Sequence, residues 1–379
     1  MDKRNAHNGE WTVDYSRVDR TIFARDGIRY LKILVVGAGA LGNQVIQTLA
    51  SLGVSEITVV DPDRVAAVNR AHSILFRIIP CLGMNKTEAI AAAAALVYPD
   101  TQVRAIAQPI ADTGLAILAR TNLLFSCVDS DLARLEISYL CTKLNLAWCD
   151  GGLGANNYSH GRVTWFGARN SACFSCMLPA QRRRELLTTW EPVVGHCTVP
   201  FDTPGLPSAP TTSAVVAALQ VDIGLRNYLA QKSQSQTIEI DLTSDTRLSS
   251  FDLEPSNACP FHWNGERAAR FHPLPPAQTK IGEWLTGLES SARTEPVLEL
   301  DWPVCTNAWC AACHTTYFPM VRAATLRTMH CETCQRPLTA CGSLRRIDQK
   351  SEWAARVFED LRLPPDHLLT TRLVARNAE

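Results

Sequence analysis

The chain has 379 residues, 46% hydrophobic and 20% charged, an ordinary globular balance with room for two domains or for one large domain and an appendage. Its 37 basic and 37 acidic residues cancel, which argues against a nucleic-acid binder that works through a broad basic surface. No apolar run reaches the length of a membrane span and the N-terminus MDKRNAHNGE lacks a signal-peptide core, so the expected compartment is the cytoplasm, where fourteen cysteines point to metal sites or thiol chemistry rather than disulfides.

Residues 1–14 are polar and read as a loose N-terminus, followed by a stretch, 15–23, with Arg17 and Arg20. An apolar run at 33–36 then enters Gly37-Ala38-Gly39-Ala40-Leu41-Gly42. Leu41, Val45, Ile46, Leu49 and Leu52 follow at helical spacing, and a second apolar run at 57–60 ends in Asp61. Strand, glycine turn, helix, strand and acid in this order are the fingerprint of a nucleotide-binding βαβ unit. The glycines allow a tight turn in which backbone N–H groups approach phosphate, and Asp61 is placed to accept from ribose hydroxyls. NAD, FAD and ATP can all use such a turn.

Asp61 and Asp63 stand at a strand end, where open α/β sheets bind ligands, and Asn69, Arg70, His72 and Arg77 follow in a polar loop. Lys86 opens an alanine-rich helix to Val97, a standard source of a phosphate-binding cation beside a nucleotide fold. Strands are expected at 103–106 and 122–128, the second running into Asp129 and a helix over 132–143. Two more strands are expected at 146–149 and 162–166, around a glycine-rich connection, and a helix at 213–229.

Two cysteine patterns stand out. Cys310, Cys313, Cys331 and Cys334 form C-x2-C-x17-C-x2-C, the spacing of a zinc ribbon whose folding energy would come from the metal. Cys305, Cys341, His314 and His330 lie nearby and read as spare. Cys173-x-x-Cys176 and Cys259-x-x-His262 together make a Cys3His set that suffices for tetrahedral zinc, although their wide separation leaves buried, unmetallated thiols as the alternative. Cys197 stands outside any pair, in the Pro/Gly-rich stretch GHCTVPFDTPGLPSAPTTSA. By position alone it is as readily an inert loop cysteine, and Arg182, Arg183 and Arg184 upstream read as a basic turn or as a source of thiolate stabilisation.

Taken in order from Tyr15 to His262, these residues resemble the ThiF/MoeB/ubiquitin-activating-enzyme superfamily. The matching motifs are Arg17-x-x-Arg20, Gly37-x-Gly39-x-x-Gly42, Asp61-x-Asp63-x-Val65-x-x-x-Asn69, Gly83-x-x-Lys86, Asp129 with Arg134, and Asp150-Gly151. His72 departs from the pattern, since the family commonly has a phosphate-binding arginine there; Arg70 or Arg77 would have to supply that cation.

The resemblance implies an α/β, Rossmann-like adenylation domain with a mixed, mostly parallel sheet over 15–266. It is followed by a linker at 267–300, a zinc ribbon at 301–345 and a helical tail at 346–379 with a short helix at 351–361. It implies ATP-dependent adenylation of the C-terminal carboxylate of a ubiquitin-like protein. Gly37, Gly39, Gly42, Asp61, Asp63, Asn69, Arg70, Lys86 and Asp129 would bind ATP and Mg²⁺, and Arg20 would act from the other subunit of a homodimer. Two structural Zn²⁺ sites are implied, with His262 in place of the usual fourth cysteine of the first. Cys197 would form a thioester for transfer to a ubiquitin-conjugating-like enzyme. Cys127 and Cys149 on apolar strands, Cys141 on a helix and Cys81 beside the phosphate loop are worse candidates.

A ribbon rather than a rhodanese-like domain after the core favours conjugation, as in bacterial ubiquitin-like operons associated with phage defence, over sulfur-carrier activation of the ThiF/MoeB type. An NAD-dependent oxidoreductase would leave Lys86, Asp129 and the cysteine pairs without a role. A lapsed, inactive scaffold would account for His72.

Overall fold

The computed structural model of the chain describes residues 13–154, 158–168, 171–190, 209–243, 245–261, 269–288, 290–291, 294–326, 329–365 and 367–375. Residues 1–12 of the expected loose N-terminus, Cys197 and His262 lie outside the described residues. The first unit is built on β1 (Lys32–Val36), α1 (Ala40–Ser51), β2 (Glu56–Val60), α2 (Lys86–Val97), β3 (Gln102–Ile106), β4 (Leu123–Ser126), α3 (Asp131–Leu144), β5 (Trp148–Leu153) and β6 (His160–Phe166). It continues with α4 (Ala180–Trp190), α5 (Pro210–Leu229), β7 (Ser235–Asp241) and β8 (Arg247–Leu253). The strands form one eight-stranded sheet in the order β3-β2-β1-β4-β5-β6-β7-β8. Pairing is parallel from β3 to β5 and antiparallel from β5 to β8. The mostly parallel Rossmann-like sheet is therefore present, and β7 and β8 extend it beyond what the sequence pattern foresaw.

The central strands are apolar without interruption because both of their faces are covered. Their period of two sorts them. Ile33 and Val35 of β1 join Val45, Ile46 and Leu49 of α1 and Val216, Val221 and Leu225 of α5 in one core. Leu34 and Val36 join Leu135 and Leu140 of α3, with Trp148, Phe166 and Phe174, in the other. β2 lies on one side of β1 and β4 on the other, so the strand order reverses at β1, and the crevice beyond the carboxyl ends of β1 and β4 is where such sheets take ligands.

The C-terminal region departs from the sequence reading. Residues 267–300, expected as a linker, carry β9 (Arg270–Pro273), α6 (Ile281–Thr286) and the start of β10 (Thr294–Trp309). With β11 (Thr316–Tyr317), β12 (Val321–Arg322), β13 (Thr339–Ile347) and β14 (Leu368–Ala375) they form a six-stranded sheet. The expected helix at 351–361 is two short 3₁₀ turns, Glu352–Ala355 and Phe358–Leu361. The tail supplies a strand, β14, paired with β9 and β10. The prolines suggested a linker, but they only end β9 and shape the turn after it. Ile281, Leu285, Leu298, Leu300, Ile347, Phe358, Leu361 and Leu369 make a core of their own, so the ribbon sits in a unit that does not depend on metal alone. Among the described residues no helix is long and apolar enough to cross a membrane.

Candidate nucleotide site and cysteine clusters

The turn after β1 is shaped by steric need. Gly37 has φ +98°, and a Cβ on it would stand 2.5 Å from the Cys127 carbonyl oxygen. A Cβ on Gly42 would overlap the Gly37 carbonyl, whereas Gly39, the N-cap of α1, has no atom within 4 Å of a would-be Cβ. Two glycines thus close the turn against the β4 end, and the third leaves the backbone open at a helix N-terminus.

Asp61 is only 7% exposed. Its Oδ2 accepts the Ala38 N–H at 2.7 Å and its Oδ1 accepts the Asp63 N–H at 2.8 Å, so one carboxylate fixes both the glycine turn and the loop after β2. Burial pushes its pKa up from the ordinary carboxylate value, opposed by the charge of Lys86 and by the two N–H donors. Each oxygen has accepted one backbone donor and retains capacity for another, which is what a ribose diol needs.

Lys86 is brought to the same place by main-chain pairing of two loops. Val65 N–H donates to Met84 O and Lys86 N–H donates to Asp63 O, both at 2.9 Å. The Lys86 Nζ then meets Asp63 Oδ2 at 2.8 Å, with the lysine side chain 12% and the aspartate 63% exposed. The expected pair of site residues therefore touch one another. Asn69 Oδ1 accepts from Ala66 N–H, Arg70 Nε donates to Phe76 O, and Arg77 Nε donates to Arg70 O, so this polar loop is braced on itself. His72, at the family's arginine position, is half-buried, with Nδ1 unpaired among the described residues. Asn43, not singled out from the sequence, is fully buried and accepts from Leu75 N–H, tying α1 to the loop.

Across the crevice, Asp129 is exposed at the end of β4, and Ser130 caps α3 by accepting from Ala133 N–H. Arg134 points inward. Its Nε lies 3.1 Å from both oxygens of Asp150, and its Nη2 donates to Val128 O at 2.6 Å. Asp150 is fully buried and also accepts from Ser126 Oγ at 2.7 Å, with Arg162 Nη2 at 3.5 Å. Gln220 of α5 donates to the carbonyls of Ser126 and Cys149. Ser126, Arg162 and Gln220 escaped the sequence reading, although polar residues interrupting apolar runs are the signal that marks such a network. Arg20 stands exposed on the turn Val18–Arg20 ahead of β1.

Cys173, Cys176 and Cys259 converge, with Sγ separations of 3.8 Å (Cys173–Cys176) and 3.5 Å (Cys173–Cys259). Zinc–sulfur bonds of about 2.3 Å in a tetrahedron place sulfurs about 3.8 Å apart, so the cluster fits such an ion with one position left for a further ligand. Arg183 clips its two halves together, donating to the carbonyls of Ser175, Leu178 and Ala258. It is therefore a brace of the cluster rather than part of a loose basic turn, and Arg182 is held by Asp131 at 2.9 Å. Cys310, Cys313, Cys331 and Cys334 also converge, with Cys310 and Cys334 Sγ atoms 3.5 Å apart, and Tyr317 O–H donates to Cys331 Sγ. Cys81, Cys127, Cys141, Cys149 and Cys305 are buried, and burial drives the Cys127, Cys141 and Cys149 thiols well above the ordinary value, away from thiolate. Among the described cysteines, Cys341 is the exposed one.

Residues 19–261 match the ThiF family. Among curated proteins, the chain is 25% identical over 269 residues to ubiquitin-like modifier-activating enzyme 5 of Drosophila grimshawi, covering 68% of this chain and 65% of that protein. It is 26% identical over 244 residues to the protein of the same name in Bombyx mori, covering 61% of this chain and 59% of that one. The chain thus spans less than two thirds of the length of these relatives. Among solved structures, E. coli MccB superposes with a TM-score of 0.50 at 17% identity, covering 64% of this chain and 68% of that one, a likeness of fold.

Proposed function

Because the chain belongs to the ThiF family, we propose that it adenylates the C-terminal carboxylate of a ubiquitin-like protein. The carboxylate oxygen attacks the α-phosphorus of ATP, the bond to the bridging oxygen breaks, and pyrophosphate leaves. The observation that carries this reading is the Lys86 ammonium, held at the strand ends between Asp61 and Asp63, with a second strand-end acid, Asp129, across the crevice. A dinucleotide site requires neither the lysine nor the second acid. Displacement at phosphorus needs alignment and charge neutralisation more than acid–base chemistry. The open backbone at Gly39 meets phosphate, Asp61 holds ribose, and Lys86 with Arg70 neutralises the phosphates. Asp129 with Asp63 would hold Mg²⁺, which when bound would supply further neutralisation of phosphate charge. Arg20 acts from a second copy in a homodimer. The likeness to ubiquitin-like modifier-activating enzyme 5 supports a ubiquitin-like substrate.

We assign Cys197 the next step. Its thiolate attacks the acyl carbon, AMP leaves, and the thioester passes to a conjugating-like enzyme. Both cysteine clusters take Zn²⁺, with His262 completing the first.

The test is ATP–pyrophosphate exchange with candidate carrier proteins. Lys86→Ala is expected to abolish it. The Lys86–Asp63 pair is largely open to water on the aspartate side, so its loss changes stability by less than about 1 kcal/mol. Near-normal exchange in that variant would overturn the assignment. Cys197→Ala is expected to keep exchange and lose the reductant-sensitive complex with the carrier. A thioester that survives points to Cys341, and adenylation without any thioester in the wild type points to direct transfer, as for a sulfur carrier.

A further inference from the structure

The C-terminal unit does not pack on the first unit at random: its polar contacts fall on α3, whose N-cap Ser130 directly follows the strand-end acid Asp129, and on the neighbouring turn Ile110–Asp112. Arg322 of β12 donates through Nε and Nη2 to Asp112 at 2.6 and 3.1 Å, and through Nη1 to Glu136 of α3 at 3.2 Å. Trp302 of β10 donates its Nε1–H to Ala111 O at 3.0 Å, and its ring lies 5.8 Å from that of Tyr139. Lys143 of α3 and Asp301 of β10 form an ion pair in which both side chains are 2% exposed, and His367 Nε2 lies 3.3 Å from the other Asp301 oxygen. Glu136, Tyr139 and Lys143 are three and four residues apart, so they share one face of the helix. On its inner side the same helix is held to the sheet by Arg134, which grips Asp150 and the Val128 carbonyl, one residue before Asp129.

We propose that the C-terminal unit is a positioning brace for the nucleotide site, with Arg322 the residue through which it holds α3 and thereby Asp129. This rests on the adenylation reading given above. An interface made only to adhere would be served at least as well by apolar side chains, since burying charge is costly and its return is geometric definition. Here charged contacts at Glu136 and Lys143, with the Tyr139–Trp302 ring contact between them, hold a 14-residue helix whose first turn borders the crevice. Arg322 touches neither substrate nor metal and acts through Glu136 and Asp112. Its effect belongs in the binding of Mg²⁺ by the strand-end acids rather than in the maximal rate.

The variant to make is Arg322→Met with Glu136→Gln, so that no buried carboxylate is left without its partner; Asp112, 40% exposed at its side chain, is met by water. Arg322→Lys is the companion, keeping the charge and losing the planar fork. Two measurements are made on the full chain below its melting transition. The first is the Mg²⁺ concentration for half-maximal ATP–pyrophosphate exchange, expected to rise roughly threefold to thirtyfold in the double variant with a smaller change in maximal rate. The second is hydrogen exchange of amides 127–135 without nucleotide, expected to quicken while that of 33–46 stays as in the wild type. Arg322→Lys is expected to lie between wild type and the double variant in both. Unchanged Mg²⁺ dependence together with unchanged exchange at 127–135 overturns the brace. A wild type inactive in pyrophosphate exchange overturns the adenylation reading instead, and the amide measurement then still decides whether Arg322 holds the helix.

Discussion

Arg134 and Asp150 matched a family pattern in the sequence, and the structure gives them a structural task that can be weighed. Arg134→Met removes the guanidinium that meets both oxygens of Asp150 at 3.1 Å and leaves a fully buried carboxylate with Ser126 Oγ at 2.7 Å and Arg162 Nη2 at 3.5 Å. One hydroxyl and one long contact do not replace a two-oxygen charged pair, so the cost is that of breaking a buried ion pair, about 3–5 kcal/mol. For a unit of this size that lowers the melting temperature by roughly 6–15 °C. Thermal and urea unfolding of wild type, Arg134→Met and Arg134→Met with Asp150→Asn provide the assay. The double variant removes the stranded charge while the amide oxygen can still accept from Ser126, so it is expected to recover at least about 2 kcal/mol of the loss. A single variant that loses less than about 1 kcal/mol, or a double variant no better than the single, would refute the reasoning.

Gly39→Ala is expected to fold, since nothing lies within 4 Å of the added carbon, with a loss of no more than about 1 kcal/mol from the poorer N-cap, and to weaken nucleotide binding measured by calorimetry; Gly42→Ala, whose carbon overlaps the Gly37 carbonyl, is expected to lower the melting temperature substantially more. Elemental analysis of protein purified without chelator should give close to two zinc ions per chain. A ratio near one, unchanged by Cys310→Ser, would show that the second cluster holds no metal. Burial, opposed by Arg322 and aided by Asp112, raises the Glu136 carboxyl from its ordinary 4.5 to about 7. A raised folded-state pKa favours the folded protein below the unfolded value, and that contribution is lost as pH rises through about 7. Stability is therefore expected to fall by roughly 3 kcal/mol between pH 4.5 and 7.5 through this group. Glu136→Gln should flatten that part of the profile in denaturant titrations across pH, and a profile as steep as the wild type's would disprove the linkage.

The first unit was legible in the sequence because its signals are local. Period-two and helical patterns, the glycine turn and an acid at a strand end are written within a few residues of one another, and α2 begins and ends at the expected Lys86 and Val97. The C-terminal ribbon spacing C-x2-C-x17-C-x2-C was legible for the same reason, and its four cysteines do converge. The surrounding unit was not. Its strands bury both faces at irregular intervals, with acidic residues among the apolar ones, and proline-rich turns imitate a linker.

Local pattern thus determined the Rossmann-like sheet, the place of Gly37, Asp61, Lys86 and Asp129 at its strand ends, and the C-terminal four-cysteine set, whereas the meeting of Cys259 with Cys176 and with Cys173, 86 positions away, was decided by the tertiary structure. Only the tertiary structure decided what each side chain touches. Asp61 is engaged with Ala38 and Asp63. Lys86 rests on Asp63, Arg134 on Asp150, and Arg183 on the Cys173 cluster. Arg322 reaches across two units to Glu136. These partners lie from two to 186 positions apart in the chain, and a buried charge takes whichever opposite charge or carbonyl the packing brings within about 3 Å. Spacing in sequence carries no record of that choice, because it is made by the way helices and sheets close over one another.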